Sequence, residues 1–342
     1  MEQIKLTKGR LLDVVGNLEQ AGYATSLVKD YYRTDIKAKK LRIKEWDYYY
    51  FGNQKYGIAL TIADNSYMGL ASISVMDFER NYYKTQSAIT FMPKGKTDLP
   101  RTSKVGDVSY IGKKLKIDFQ NDGRTRKLTA VMNKFDDILD FECSVELFDE
   151  PSESMVIATP FDKPKHFYYN QKINCLRVKG SARLGGKIYN FDPSESFAVL
   201  DWGRGVWTYK NTWYWSSMSS VVDGVKVGFN LGYGFGDTSQ ATENMLFYDG
   251  KAYKIEQVTF HIPKNNKGQE QYLEPWSFTS NDKTVELKFE PILDRYDNTN
   301  LIFLKSTQHQ VFGKFSGTLR VNNKTIKINN IVGFAEKVTN KW

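Results

Sequence analysis

An acid and a base lie inside the most aromatic segment of this 342-residue sequence. Asp201 and Arg204 occur in DWGRGVWTYKNTWYW, which holds four of the seven tryptophans. A carboxyl group among aromatic side chains can keep its proton and act as a general acid, and aromatic faces stabilise a developing cation. Alternatively, the two charges form a buried ion pair that pins a loop, with Gly203 and Gly205 allowing a tight turn near a strand end. The pattern favours the ion pair.

Further candidates lie on either side of this segment. His166 precedes the aromatic run FYYNQK, and it completes a candidate catalytic set with Asp201 and Arg204. A histidine beside aromatic residues is more often a hydrogen-bonded structural residue, so both interpretations stay open. The candidate ligand-binding residues share aromatic or amide side chains, and they are Tyr168, Trp202, Trp207, Trp213, Tyr214, Trp215, Asn230 and Trp276.

The remaining motifs predict neither a metal nor a cofactor. Cys143 and Cys175 do not make a disulfide framework or a metal site, and the three histidines lack ligand spacing. The GYGFG run at 232–236 lies inside an alternating strand, where a nucleotide-binding loop would need a strand-to-helix turn. We therefore expect catalysis, if present, to be cofactor-independent.

Charge and hydropathy narrow the range of partners. The net charge is +9 and the pI is near 9.1, but the basic residues are spread along the chain. The densest run, KAKKLRIK at 37–44, is typical of a solvated strand face, so we expect no nucleic-acid partner. The N-terminal residues lack the apolar stretch of a secretory signal, and no run of about 18 apolar residues predicts a membrane span. A cytoplasmic protein without integral membrane association is expected, and its oligomeric state stays open.

Turn pairs between short β-rich runs predict an all-β fold. Asp223-Gly224, Asp249-Gly250, Gly185-Gly186 and Asn322-Asn323 each divide two such runs, and these residues tolerate the positive φ of hairpin turns. Strict alternation from 225 to 235, with apolar residues at every odd position, supports the same class.

A faint internal duplication predicts two β units. EWDYYYFGNQKYGIALTIAD and TWYWSSMSSVVDGVKVGFNLGYG share an aromatic strand, a turn and an alternating strand. TPFDKPKHF, with two prolines, is a candidate crossing between them. We therefore predict two antiparallel β-barrels or strongly curved sheets packed together, with domains at 1–160 and 161–342. A single large sandwich is the alternative.

Several motifs resemble the bacterial domain of unknown function 2804 family. They are EWDYYYF, HFYYNQK, GSARLGGKIYNFDPSESFAVLDWGRGVWTYKNTWYWSSMS, PILDRYDNTN and FGKFSG, and the resemblance runs along essentially the whole chain. Thr208 stands where the family pattern has proline. The family is distantly similar to lipocalin-like (calycin-type) proteins such as carotenoid hydratases and tocopherol cyclases, which implies a lipocalin-like fold. In those proteins an acid beside tryptophans lies at the pocket between barrels, and Asp201-Trp202-Gly203 is a shortened likeness of that segment.

Three functions are compatible with these observations. The first is binding of an apolar or amphipathic small molecule in an aromatic pocket. The second is a hydratase, cyclase or lyase that uses Asp201 as its acid, with Trp213, Tyr214 and Trp215 steadying a cation. The third is a carbohydrate-binding or carbohydrate-active protein, although no carboxylate pair at glycosidase separation is identifiable from the sequence. A cavity beside Asp201 is the feature expected to favour an enzyme or a lipid binder.

Overall fold

The first two thirds of the chain fold as short loops followed by long antiparallel strands. The computed structural model describes residues 3–301 and 304–341. Its first strands are β1 Gly9–Arg10, β2 Gly22–Ala24, β3 Lys29–Asp30, β4 Ile43–Gly52, β5 Tyr56–Asp64, β6 Met68–Asp77, β7 Tyr82–Phe91, β8 Val108–Ile111, β9 Leu115–Asn121, β10 Arg126–Asp136, β11 Leu139–Phe148, β12 Met155–Pro160, β13 Phe167–Leu184, β14 Lys187–Phe191 and β15 Phe197–Val206.

The last third is also built from strands. They are β16 Lys210–Val222, β17 Val225–Tyr233, β18 Met245–Tyr248, β19 Lys251–Lys254, β20 Val258–His261, β21 Trp276–Ser280, β22 Val285–Leu301, β23 Leu304–Val321 and β24 Lys324–Lys341. The described helical elements are the three-residue 3₁₀ turns Arg33–Asp35 and Lys40–Arg42, and neither could cross a membrane. The all-β prediction is confirmed.

These strands form two large antiparallel sheets, each curled into a half-barrel. The first runs in the order β7-β6-β5-β4-β15-β13-β11-β10-β9-β8, with β12, β2 and β14 beside it. The second runs in the order β19-β18-β17-β16-β24-β23-β22-β21-β20, and β1 and β3 make a separate parallel pair. The prediction of two strongly curved sheets packed together is therefore confirmed.

Each half-barrel surrounds an apolar core of its own. Phe51, Leu60 and Phe141 are fully buried in the first core, and Phe229 and Phe289 are fully buried in the second. The four dipeptides predicted as turns all connect paired strands. Asp223, Asp249 and Asn322 have φ between 51° and 53°, which is the left-handed geometry expected of hairpin turns.

The chain passes from the first sheet to the second between Val206 and Lys210. The TPFDKPKHF segment makes the hairpin between β12 and β13, where Pro160 pairs with Phe167, so it is not a crossing between the two sheets. The strands of residues 167–206 belong to the first sheet, where β13 pairs with β11, β12 and β15. The domain boundary at residue 160 stays a prediction, and the strand pairing favours one at 207–209.

Candidate functional site

The site lies where the two half-barrels pack face to face. β4, β13 and β15 of the first sheet meet β16, β23 and β24 of the second. Tyr50 packs against Phe312 and Phe334 with ring centroids 5.3 and 5.5 Å apart, and Tyr48 meets Trp215 edge-on at 5.9 Å. We call this interface the inter-sheet layer. It is largely apolar, so each charged side chain within it requires an explanation.

The alternation of β15 separates the two charges that stand out in the sequence. Successive side chains of a strand point to opposite faces, so residues 201 and 204 cannot share one face. Asp201 faces the inter-sheet layer, where its Oδ1 lies 2.9 Å from Lys172 Nζ. Arg204 faces the core of the first half-barrel, where its Nη2 lies 3.0 Å from Asp47 Oδ1. The predicted Asp201–Arg204 pair at a strand end is wrong, because the segment is a continuous strand in which the two side chains diverge.

Arg204 has the contacts of a structural residue. Its guanidinium donates to the carbonyl oxygens of Trp46, Gly203 and Pro100 at 2.6 to 2.8 Å and lies 4.3 Å from the centre of the Trp202 ring. Burial raises the pKa of Asp47, and the neighbouring Arg204 opposes that rise. This arrangement explains how an arginine can be fully buried among aromatic residues.

The glycines beside Arg204 allow close packing against neighbouring groups rather than a turn. Gly203 lies opposite Trp46 of β4, and a Cβ atom built on Gly203 would lie 1.9 Å from that ring. The Trp46 ring can therefore lie flat over the backbone of β15, where it stacks on Tyr168 and meets Trp207 edge-on. Gly205 is equally restricted, since its Cβ would lie 2.5 Å from the carbonyl oxygen of Phe167. The sequence DWGRG thus places one glycine where an aromatic ring crosses the strand and a second where the neighbouring backbone comes close.

Asp201 is held by two neighbours on β13. Lys172 pairs directly with it across the strands, and Asn170 Nδ2 donates to Asp201 Oδ1 over 2.6 Å. Lys172 Nζ also lies 4.0 Å from the centre of the Trp215 ring on the opposite sheet. The ammonium group of Lys172 therefore links the Asp201 carboxylate to an aromatic face of the second half-barrel.

The second sheet contributes a carboxyl of its own to the layer. Glu336 on β24 lies opposite Trp215 in the strand register. Its Oε1 accepts a hydrogen bond from Trp213 Nε1 at 2.8 Å, and its Oε2 accepts one from Gln310 Nε2 at 2.9 Å. Burial raises the pKa of Glu336 to about 7, and the charge of Asp201 adds to the rise. The hydrogen bond from Trp213 and the charges of Arg295 and Lys172 act in the opposite direction.

A third carboxyl, that of Glu243, lies in the loop between β17 and β18. Burial raises the pKa of Glu243, the charge of Lys172 lowers it and the charge of Asp201 raises it further. Glu243 therefore interacts electrostatically with both Lys172 and Asp201. The Glu243 side chain lies close against the backbone of β17, because a Cβ on Gly232 would lie 2.8 Å from Glu243 Cδ. Asn230 donates to the main-chain oxygen of Glu243 at 2.8 Å and accepts from Trp215 Nε1 at 2.7 Å.

Five of the eight candidate ligand-binding residues come together here. Tyr168, Trp207 and Trp213 surround the Phe235 ring, with centroids 4.8 to 5.4 Å away. Trp215 and Asn230 are hydrogen-bonded to each other, and Trp215 faces Lys172 of the first sheet. The structure does not bring the other three to this site: Trp202 packs in the first core, Tyr214 stacks on Tyr233 on the far face of the second sheet, and Trp276 packs in the second core.

His166 lies apart from the three carboxyls. Its Nδ1 lies 2.9 Å from the carbonyl oxygen of Pro164 in the β12–β13 hairpin. Burial lowers its pKa, and the charges that act on it are those of Lys163 and Arg42. This environment is that of a structural histidine in a turn.

Sequence reasoning missed Lys172, Glu243, Gln310 and Glu336. One of them has a visible signal: Val332, Phe334, Glu336 and Val338 occupy alternate positions of β24, so the acid interrupts an apolar face. A charge on the apolar face of an alternating strand marks either a buried ion pair or a functional group. The other three are recognisable only from the packing of the two sheets.

A small cavity continues the layer beyond Asp201. It has a volume of about 30 Å³ and is lined by residues of both sheets, among them Val199, Ser217 and Phe334. Asp201 does not line this cavity, although Val199 precedes it on the same face of β15. The volume suits water rather than an organic molecule. Binding of a larger ligand therefore requires the layer to open.

The fold is similar to that of solved structures with little shared sequence. A crystal structure described as AttH from Nitrosomonas europaea superposes with a TM-score of 0.54 at 13% identity, covering 91% of this chain and 96% of that chain. Kievitone hydratase from Nectria haematococca superposes with a TM-score of 0.50 at 11% identity, covering 97% of both chains. These neighbours have lipocalin-like folds, which confirms the predicted lipocalin-like class.

The sequence itself places the chain in a family. No curated protein matches it. Residues 2–342 match the family model described as a domain of unknown function, so the chain belongs to the DUF2804 family, as its motifs predict.

Proposed function

We propose that the inter-sheet layer binds a small molecule with an apolar, unsaturated body and adds water to, or removes it from, a carbon–carbon double bond. The observation that carries this proposal is the contrast between two buried carboxyls. Asp201 is ion-paired with Lys172 at 2.9 Å, whereas Glu336 accepts hydrogen bonds from the neutral groups Trp213 and Gln310. Two carboxyls in contrasting environments are the usual basis for one acid and one base in the same site.

The contrast assigns the roles. Glu336, whose pKa is raised to about 7 by burial, carries a proton in about half of the molecules at neutral pH, and in this form it gives the proton to one alkene carbon. A water oxygen then bonds to the other carbon, and Asp201 accepts the proton that this water loses. Hydrogen and hydroxyl have been added across the double bond, and transfer of one proton from Asp201 to Glu336 restores the site. In this proposal Asp201, which the sequence suggested as the acid of the enzyme alternative, acts as the base.

The aromatic residues stabilise the charge that develops between these two steps. Trp215 already lies 4.0 Å from the Lys172 ammonium, which shows that its ring faces a positive charge. Trp213 donates to Glu336 and is half-buried, so its ring lies at the edge of the layer beside the acid. A carbocation formed next to these rings gains cation–π stabilisation in a largely apolar site.

Entry to the layer requires movement of the loop between β17 and β18. Phe235, near the start of this loop, covers Tyr168, Trp207 and Trp213. Gly234 and Gly236 flank it with φ of 89° and 73°, a backbone conformation that favours glycine. Displacement of Phe235 would expose the tryptophans without breaking a strand.

The fold likeness to kievitone hydratase agrees with this chemistry, because it indicates that such a fold can carry a hydratase. The assignment to this chain rests on its own carboxyls. At 11% identity, the likeness does not identify the substrate.

The test works with a mixture of candidate substrates. Purified protein is incubated with an extract of small apolar metabolites in oxygen-18 water, and the products are compared by mass spectrometry with those of Glu336→Gln. We expect compounds that gain one labelled water with the wild-type protein, and a loss of at least about 100-fold in their rate of formation with the variant. Glu142→Gln on the exposed face of β11 is the matched control and should behave as wild type. Labelled products that form equally with Glu336→Gln, or none with the wild type, would overturn the proposal.

A further inference from the structure

Two buried amide side chains each support one of the two carboxyls. Asn170 Nδ2 donates to Asp201 Oδ1 over 2.6 Å, and Gln310 Nε2 donates to Glu336 Oε2 over 2.9 Å. Asn170 has a relative exposure of 0% and Gln310 one of 1%. The acid and the base are therefore each accompanied by an amide group that is removed from solvent.

The orientation of both amides is set by what their nitrogens contact. Asn170 Nδ2 also donates to the main-chain oxygen of Trp202 at 2.8 Å, and an oxygen in its place would face two acceptors. Gln310 Nε2 lies between Glu336 Oε2 and the hydroxyl of Tyr48, which is 3.5 Å away. The amide oxygens consequently point away from the carboxyls that the nitrogens hold.

These oxygens are left without a hydrogen-bond donor. Among the residues that the structure describes, neither Asn170 Oδ1 nor Gln310 Oε1 has a partner. A third buried amide oxygen, Asn174 Oδ1, also lacks a hydrogen-bond donor among the described residues. Asn174 Nδ2 donates to the hydroxyl of Ser217, which lines the cavity in the layer. Buried acceptors in native proteins are nearly always satisfied by protein, water or a ligand, so the oxygens of Asn170 and Gln310, each on an amide that holds one of the two carboxyls, are places that can receive donors from a ligand.

We infer that the ligand of this site carries hydroxyl groups, which donate hydrogen bonds to Asn170 Oδ1 and Gln310 Oε1 on either side of the reacting carbons. This inference rests on the proposed function for the position of the ligand, and it names the ligand as a hydroxylated, unsaturated compound. A phenol or an unsaturated alcohol meets the description, because its hydroxyl donates while its body packs against Tyr48 and Trp215. A hydrocarbon or a methyl ether leaves both amide oxygens unpaired and binds more weakly.

The test is a comparison of matched probes. Hydroquinone, its monomethyl ether and its dimethyl ether share one planar body and differ in having two, one or no hydroxyl donors. Their affinities for the full chain are measured by isothermal titration calorimetry, with tryptophan fluorescence as a second readout. We expect affinity to fall at each methylation, with hydroquinone binding about tenfold tighter than the dimethyl ether.

The variants locate this preference. Asn170→Leu and Gln310→Met each remove one amide oxygen. Each should lower the ratio of the affinity for hydroquinone to that for its dimethyl ether severalfold, toward a ratio of one. Gln308→Met makes the same change on the same face of β23, where Gln308 pairs with Val338, two residue pairs along from Gln310 and Glu336, and it should retain the wild-type ratio. Circular dichroism shows whether each variant folds. If only one of the two amide variants folds, that variant alone is sufficient for the test. Equal affinity of the wild type for all three probes, no binding of any probe, or a preference unchanged in both amide variants would overturn the inference.

The outcomes also separate this inference from the proposed function. A hydroxyl preference that depends on Asn170 and Gln310, without incorporation of oxygen-18, would retain the binding site and remove the acid–base chemistry. Incorporation that depends on Glu336, without any hydroxyl preference, would retain the chemistry and remove the ligand class proposed here.

Discussion

Asp201 and Arg204, three residues apart on β15, point to opposite faces of the first sheet and pair with Lys172 and Asp47 respectively. The strand β15 therefore supplies one charge to the inter-sheet layer and a second charge to the core of the first half-barrel. The two charges have different functions, and substitutions should distinguish them.

Loss of the Arg204 side chain should mainly destabilise the fold. Arg204→Met leaves Asp47 buried without its ion-pair partner, so we expect the free energy of unfolding to fall by about 3–5 kcal/mol in chemical denaturation. Arg183→Met removes an exposed partner of Glu142 and should cost less than about 1 kcal/mol. Addition of Asp47→Asn to the Arg204 variant should restore part of the loss. A stable Arg204 variant would contradict the structural role.

Glu336 should make stability depend on pH. Its pKa rises from 4.5 to about 7 on folding, so between these pH values the folded state binds a proton that the unfolded state releases. The contribution of Glu336 to the free energy of unfolding is therefore complete below pH 4.5. It is lost as the pH rises through 7, by about 3 kcal/mol in all. Glu336→Gln cannot ionise and should lose this dependence when unfolding is measured across the range. An unchanged pH profile would show that Glu336 is not the titrating group.

Gly203 should not tolerate a side chain. Because a Cβ at this position would lie 1.9 Å from the Trp46 ring, Gly203→Ala must displace that ring from Tyr168. We expect a loss of about 1–3 kcal/mol in the free energy of unfolding. Gly186→Ala, in an exposed hairpin turn with nothing within 4 Å of the added atom, is the control and should leave stability unchanged or slightly raised. Equal stability of the two variants would argue against this packing.

Phe235 should control access to the layer. Phe235→Ala removes the ring that covers Trp207 and Trp213, so acrylamide should quench tryptophan fluorescence more strongly. Stability should fall by about 3 kcal/mol, as for other large-to-small changes at buried positions. Phe91→Ala, at a position 87% exposed, should change neither quantity. Unchanged quenching in a folded Phe235 variant would show that another segment closes the site.

Local sequence patterns were sufficient for the class of fold. The turn pairs around Asp223 and Asn322 and the alternation in β17 follow from constraints that act within a few residues, namely positive φ and a side-chain period of two. The same period, applied to residues 201–205, already excludes the Asp201–Arg204 pair, and it marks Glu336 as a charge on an apolar face. The motifs spread along the chain also identified the DUF2804 family.

The site itself depended on tertiary structure. Lys172, Glu243 and Glu336 come from β13, a loop and β24, and no local rule relates residues separated by 71 or more positions such as Lys172 and Glu243. Only the packing of the two sheets determined which aromatic residues face the carboxyls and which fill the separate cores. The physical reason is that strand alternation gives each side chain one of two faces, whereas the environment of each face is set by the opposite sheet.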